Sequence, residues 1–142
     1  MRHWYNLSHK SQGLLLLGFI WILFGWSVYL GVTPSDVSGA WHTYWPAEPR
    51  TAMWFATGAY AVYAAITRRH KNLAFACLII MPAIRMSSFI TAWVVALVPG
   101  LPEGQPNGWY SAFFYLIMIL LVWYVATSPA PRVDRDLKTQ ED

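Results

Sequence analysis

Arg85 is the residue whose type and position demand most of the chemistry around it. It stands near the middle of a run, about residues 73–98, that carries no other charge. A guanidinium at the centre of a bilayer costs about 2.5–3.5 kcal/mol on translocon scales. Its stem is too short to reach the headgroups from there, so something inside must solvate it. Ser88 lies one turn along, and Pro82 lies three residues before. Proline has no N–H, so it frees a backbone carbonyl near Cys77 or Leu78 that could accept from Arg85. Leu78, Met81, Arg85, Ser88, Ala92 and Ala96 share one face at helical spacing. Ser27, Thr57 and Tyr115, on other runs, are further partners. No Asp or Glu falls within any apolar run, so an ion pair inside one chain is not expected. Three roles stay open for Arg85. It ties helices together through carbonyls and hydroxyls, or it lines a wet cavity or oligomeric pore, or it meets an anion, a lipid phosphate or an acid on another protein.

Other constellations are weak. His3, His9, His42 and His70 form neither an H-x3-H nor an HExxH pattern, so no metal site is expected. His42 and Glu48 share a connection and read as a solvated loop pair. There is no GxSxG, P-loop or GxGxxG motif. The single Cys, Cys77, excludes an internal disulfide and a cysteine-based zinc site, and it reads as a packing residue. No catalytic residue and no cofactor is expected, and the chain reads as non-enzymatic.

The elements that must position Arg85 follow from composition. The chain has 142 residues, of which 56% are hydrophobic and 12% charged, against about 25% charged in soluble domains. That balance excludes disorder, a collagen-like repeat and a nucleic-acid module with a basic face. Four apolar runs stand out, at about 13–31, 51–67, 73–98 and 109–127. A bilayer core of about 30 Å needs roughly 17–25 helical residues, and the runs fit or nearly fit. The second is short and Ala-rich, and it is the marginal one. The fold class is therefore all-α, an integral membrane bundle of four transmembrane helices. Short connections make neighbours antiparallel, giving up-down-up-down order. Residues 1–127 form the transmembrane domain, and 128–142 read as a polar, disordered tail.

Basic residues set the direction. Arg2, Lys10, Arg68, Arg69, Lys71, Arg132, Arg135 and Lys138 fall on one side, and Arg50 alone on the other. The first side is cytoplasmic by the positive-inside rule, which places both termini inside. Trp41, Trp45, Trp109, Tyr110, Trp123 and Tyr124 suit interfacial belts. A cleaved signal peptide is the alternative for span one. Its run is long for that role, and Ser38-Gly39-Ala40 lies about ten residues beyond it. Thr57, Gly58, Ala61 and Ala65 put small side chains on one face of span two, and Gly18 and Gly25 offer a matching surface on span one. Small faces let membrane helices approach closely, within a chain or between copies.

Three stretches carry a resemblance: AMWFATGAYAVYAA in span two, IMPAIRMSSF around Arg85, and VPG followed by NGWYSAFFYLIMI leading into span four. They resemble small multi-span membrane proteins encoded by phages of actinobacteria, some of which are taken to be holins. Holins are non-enzymatic proteins that oligomerise and open the inner membrane at lysis. The resemblance implies a multi-pass protein of the bacterial plasma membrane and transfers no functional residue. Beside a holin-like permeabilising role stands an accessory, assembly or exclusion protein acting through a partner. A small anion channel or transporter is the third reading. The expected partners are the lipid bilayer and either further copies or another membrane protein, with no nucleic acid.

Overall fold

Local sequence chemistry sets the ends of the helices. In the computed structural model, which describes residues 8–32, 40, 45–100 and 104–129, the chain forms α1 (His9–Tyr29), α2 (Ala47–Thr67), α3 (Lys71–Leu97) and α4 (Gly108–Thr127). Ser8 caps α1, its hydroxyl accepting from the Ser11 N–H at 3.4 Å and satisfying one of the orphan donors of the first turn. Gly31, at φ +66°, turns the chain away after α1. α2 begins at Ala47, four residues before the charge-free run. Pro49 falls in its first turn, where a missing N–H breaks no bond, and Glu48 complements the helix dipole there. Arg50 is therefore a helical residue, a correction to its reading as part of a polar connection. Arg68 and His70 take left-handed conformations, φ 60° and 53°, to make the tight turn into α3.

The fold is all-α, and α1, α3 and α4 are long and apolar enough to cross a membrane. α2 has the same 21 residues as α1, but its first-turn charges and its Ala, Gly, Thr and Tyr content leave it less hydrophobic. Trp41 of the belt, the Ser38-Gly39-Ala40 motif except Ala40, and the tail from 130 onward lie outside the described residues.

α1 and α2 meet backbone to backbone. A methyl group on Gly18 would come 2.8 Å from the Gly58 carbonyl oxygen, and one on Gly58 would come 2.8 Å from the Gly18 carbonyl oxygen. Only hydrogen fits at either position. Gly25, further along α1, faces Trp54, earlier in α2, so the two helices run in opposite directions. α3 and α4 meet where Gly108 packs on Phe89 and Trp93, and the Gln105 N–H donates to the Ala92 carbonyl at 3.0 Å. At the other end Lys71 Nζ donates to Ser8 Oγ at 2.8 Å, and Gly13 abuts Val125. The core lies between Leu14, Leu17 and Trp21 of α1, Trp54, Ala61 and Ala65 of α2, Leu78 and Met81 of α3, and Val122 of α4. α4 is the most peripheral helix, with only Gly108, Ala112, Met118 and Val122 buried.

These contacts relocate Arg85. By sequence count it sits mid-span. In the bundle, α4 begins level with Phe89 and Trp93, and α2 brings Arg50 into electrostatic range of Arg85. The last turns of α3 project past the starts of both neighbours. Arg85 is 14 residues from Lys71, about 21 Å, but only four to seven residues, about 6–10 Å, from the level where α4 starts. It lies in the third of the bundle nearest the N-termini of α2 and α4, not at the centre.

Candidate functional site

The buried stripe of α3 follows the spacing read from the sequence. Leu78, Met81, Arg85, Ser88 and Ala92 are buried, with Arg85 only 3% exposed. Ala96 is half-buried on the projecting end. Pro82 is also buried, and its effect is different from the one expected. The carbonyl that loses its intrahelical donor is that of Leu78, four residues before the proline. A donor for it comes from another helix. The Trp21 indole Nε1–H donates to Leu78 O at 3.0 Å. α1 thus repairs the gap that Pro82 opens in α3.

Two of the hydroxyls considered for Arg85 donate their protons to carbonyls of their own helices. Thr57 Oγ1–H donates to Met53 O at 2.8 Å, and Ser27 Oγ–H donates to Phe24 O at 2.9 Å. Tyr115 does reach the site: it lies within electrostatic range of Arg85 and stacks on Phe89 with ring centroids 5.8 Å apart. Ser88, fully buried beside Arg85, completes this side.

The group that sequence reading missed is Arg50. It is 6% exposed, and its Nε–H donates to Pro46 O at 3.3 Å. Its Nη1 is buried without a hydrogen-bond partner, as are Thr51 Oγ1 and Trp54 Nε1 on the same turn and the next. The Trp54 ring stacks on Phe24 at 5.4 Å and tilts against Trp21 at 5.8 Å, so its position is set by α1. Gln105 Oε1, on the α3–α4 turn, is also buried and unpartnered. The available signal was the spacing of Arg50, Trp54, Thr57 and Ala61, which puts Arg50 on the face that packs inward. The prolines at 46 and 49 hid it by suggesting a loop.

Two buried guanidinium groups, Arg50 of α2 and Arg85 of α3, thus lie within electrostatic range of each other. Glu48 is the one acid among the described residues, and it is exposed. The arrangement concentrates positive charge and hydrogen-bond donors where water is scarce. Among the described residues no group of three His, Cys, Asp or Glu is placed to hold a metal ion.

The small residues are used inside the chain. Gly18, Gly25, Gly58, Ala61 and Ala65 are buried against neighbouring helices of the same bundle, and Thr57 is half-buried. They do not present a free face to a second copy. The belt residues Trp45, Trp109, Tyr110, Trp123 and Tyr124 are all exposed, the last four in pairs at the two ends of α4. No protein-family model, no curated protein and no solved structure matches the chain.

Proposed function

We propose that this chain is a non-enzymatic, multi-pass protein of the bacterial plasma membrane that acts as an accessory subunit through a membrane partner. The carrying observation is that its polar chemistry is held inside a self-packed bundle while its outer surface is apolar. α2 is the fourth span in this reading. It is as long as α1, packs along it, and its outward residues Ala52, Ala56, Ala59, Tyr63 and Ile66 carry no charge. The order is up-down-up-down. Lys10, Arg68, Arg69 and Lys71 stand at the end that holds Ser8, which is the cytoplasmic end with both termini.

A holin-like role is the second reading, in line with the resemblance to phage membrane proteins. It is favoured by α4, where Trp109, Phe113, Leu120, Leu121 and Trp123 are all about half exposed or more. Association of copies would then run through α4. It would not run through Gly18 and Gly58, which already join α1 to α2, and Arg85 would not line the lumen, because it is buried in the protomer.

Controlled expression in a bacterial host, following growth and membrane potential, separates the two. Stable potential with abundant membrane-embedded protein, and a stoichiometric partner recovered from the native host in mild detergent, supports the accessory role. Abrupt depolarisation with recovery of homo-oligomers alone overturns it in favour of permeabilisation. Topology is tested in a Cys77→Ala background with Arg69→Cys and Asn107→Cys. Membrane-impermeant reagent applied to intact cells should label position 107 and spare position 69.

A further inference from the structure

We propose that Arg50, Thr51 and Trp54, backed by Arg85, form a binding site for a phosphate-type oxyanion at the first turn of α2. Three polar atoms there, Arg50 Nη1, Thr51 Oγ1 and Trp54 Nε1, are buried with no hydrogen-bond partner. Their residues are 6%, 7% and 1% exposed. Each atom can donate. Positions 50, 51 and 54 fall within about one turn, so the donors originate on neighbouring parts of one helix surface. Unmade donors of this kind are rare in folded proteins, and three on one turn point to an occupant.

The occupant's charge follows from the cations. An arginine cannot shed its proton to escape burial, unlike a lysine. Arg50 and Arg85 lie within electrostatic range of each other and repel. An anion between them converts that repulsion into attraction. The start of α2 adds to the field: Pro46 stands at its N-cap with no side-chain cap bond, and the positive end of a helix favours an anion. A guanidinium fork matches the spacing of phosphate oxygens, and the Thr and Trp donors would serve the oxygens that the fork leaves.

Depth favours phosphate as well. α1, α2 and α4 are each 20–21 residues long, about 30 Å, which is the thickness of a hydrocarbon core. Arg50 is the fourth residue of α2, so it lies close to the plane where outer-leaflet phosphates begin. The lipid source of the ligand rests on the membrane reading above. A free phosphate source does not.

The test uses the full chain in dodecyl maltoside at fixed ionic strength, with unfolding followed by circular dichroism. One arm adds inorganic phosphate against chloride. A second adds phosphatidylglycerol against diacylglycerol, which lacks the phosphate. The midpoint should rise by about 5–10 °C at a hundredfold excess over the Kd. A rise with inorganic phosphate assigns the free ion. A rise with phosphatidylglycerol alone assigns the headgroup. Arg50→Met should raise the half-saturating concentration at least tenfold and, without phosphate, should melt at or above the wild type. If Arg50→Met does not fold, Trp54→Phe and Thr51→Val carry the test and should each weaken the response about three- to tenfold. No rise in either arm, or an unaltered response in the variants, overturns the site. Carbonate extraction of native membranes tests the membrane reading separately, so failure of one is not mistaken for failure of the other.

Discussion

Replacing Trp21 with Phe in two backgrounds tests whether the indole repairs the gap that Pro82 makes in α3. In the wild type, Leu78 O has Trp21 Nε1 as its donor at 3.0 Å. Trp21→Phe leaves that buried carbonyl unmade, at a cost of about 1–3 kcal/mol in a protein interior. It also removes ring volume from the contact with Trp54, whose centroid is 5.8 Å away. In a Pro82→Ala background, the new backbone N–H at position 82 takes Leu78 O in the ordinary helical bond. The same Trp21→Phe change then leaves the carbonyl with its helical donor and costs less. Packing loss is common to both backgrounds and cancels in the double-mutant cycle. The remaining coupling is the worth of the indole as the carbonyl's donor in place of the missing helical one, and hydrogen bonds between membrane helices average about 0.6 and reach about 1.7 kcal/mol. This bond spans 57 residues and is buried at both ends, so the upper half of that range, about 1–1.7 kcal/mol, is expected. Unfolding by SDS in dodecyl maltoside micelles, read by far-UV circular dichroism, supplies the four stabilities. Additivity within about 0.3 kcal/mol would falsify the repair argument.

The remaining expectations use the same unfolding assay. Gly18→Ala and Gly58→Ala should each lower stability by about 1–3 kcal/mol, because the added methyl meets a backbone carbonyl at 2.8 Å. Wild-type stability in either variant would show that α1 and α2 do not approach so closely. Arg68→Gly should raise stability by up to about 1 kcal/mol, since its φ of 60° suits glycine better than a residue with a Cβ, and a lower stability would contradict this. Thr57→Val should change stability by less than about 0.5 kcal/mol, because its hydroxyl serves the Met53 carbonyl of its own helix. A loss above about 2 kcal/mol would mean that Thr57 supports another helix or Arg85 instead.

The holin-like and accessory readings divide on the same geometry. A pore lined by Arg85 requires that side chain to face outward from the bundle, yet it is 3% exposed between neighbouring helices of one chain. A second copy can approach α4 freely, where Trp109, Tyr110, Trp123 and Tyr124 stand exposed at both ends. Variants on that outer face, rather than at the glycines, are the informative ones for oligomer formation.

Sequence pattern was sufficient for the all-α class, for the apolar character of α1, α3 and α4, and for the buried stripe through Leu78, Arg85, Ser88 and Ala92. These are local properties: hydrophobic run length and helical periodicity depend on residues within a few turns. The start of α2 was harder to read, because Pro46 and Pro49 mark a loop and a helical first turn equally well. That ambiguity moved Arg50 out of its helix and out of the site. The partner of Leu78 O and the depth of Arg85 were beyond sequence reading altogether. One depends on Trp21, 57 residues away, and the other on where α2 and α4 begin beside α3. The small residues at 18 and 58 show the same division. Composition determined that two helices could meet closely there. Only the tertiary packing decided that the helices are α1 and α2 of one chain, because each glycine's partner is chosen by how the antiparallel pair slides into register.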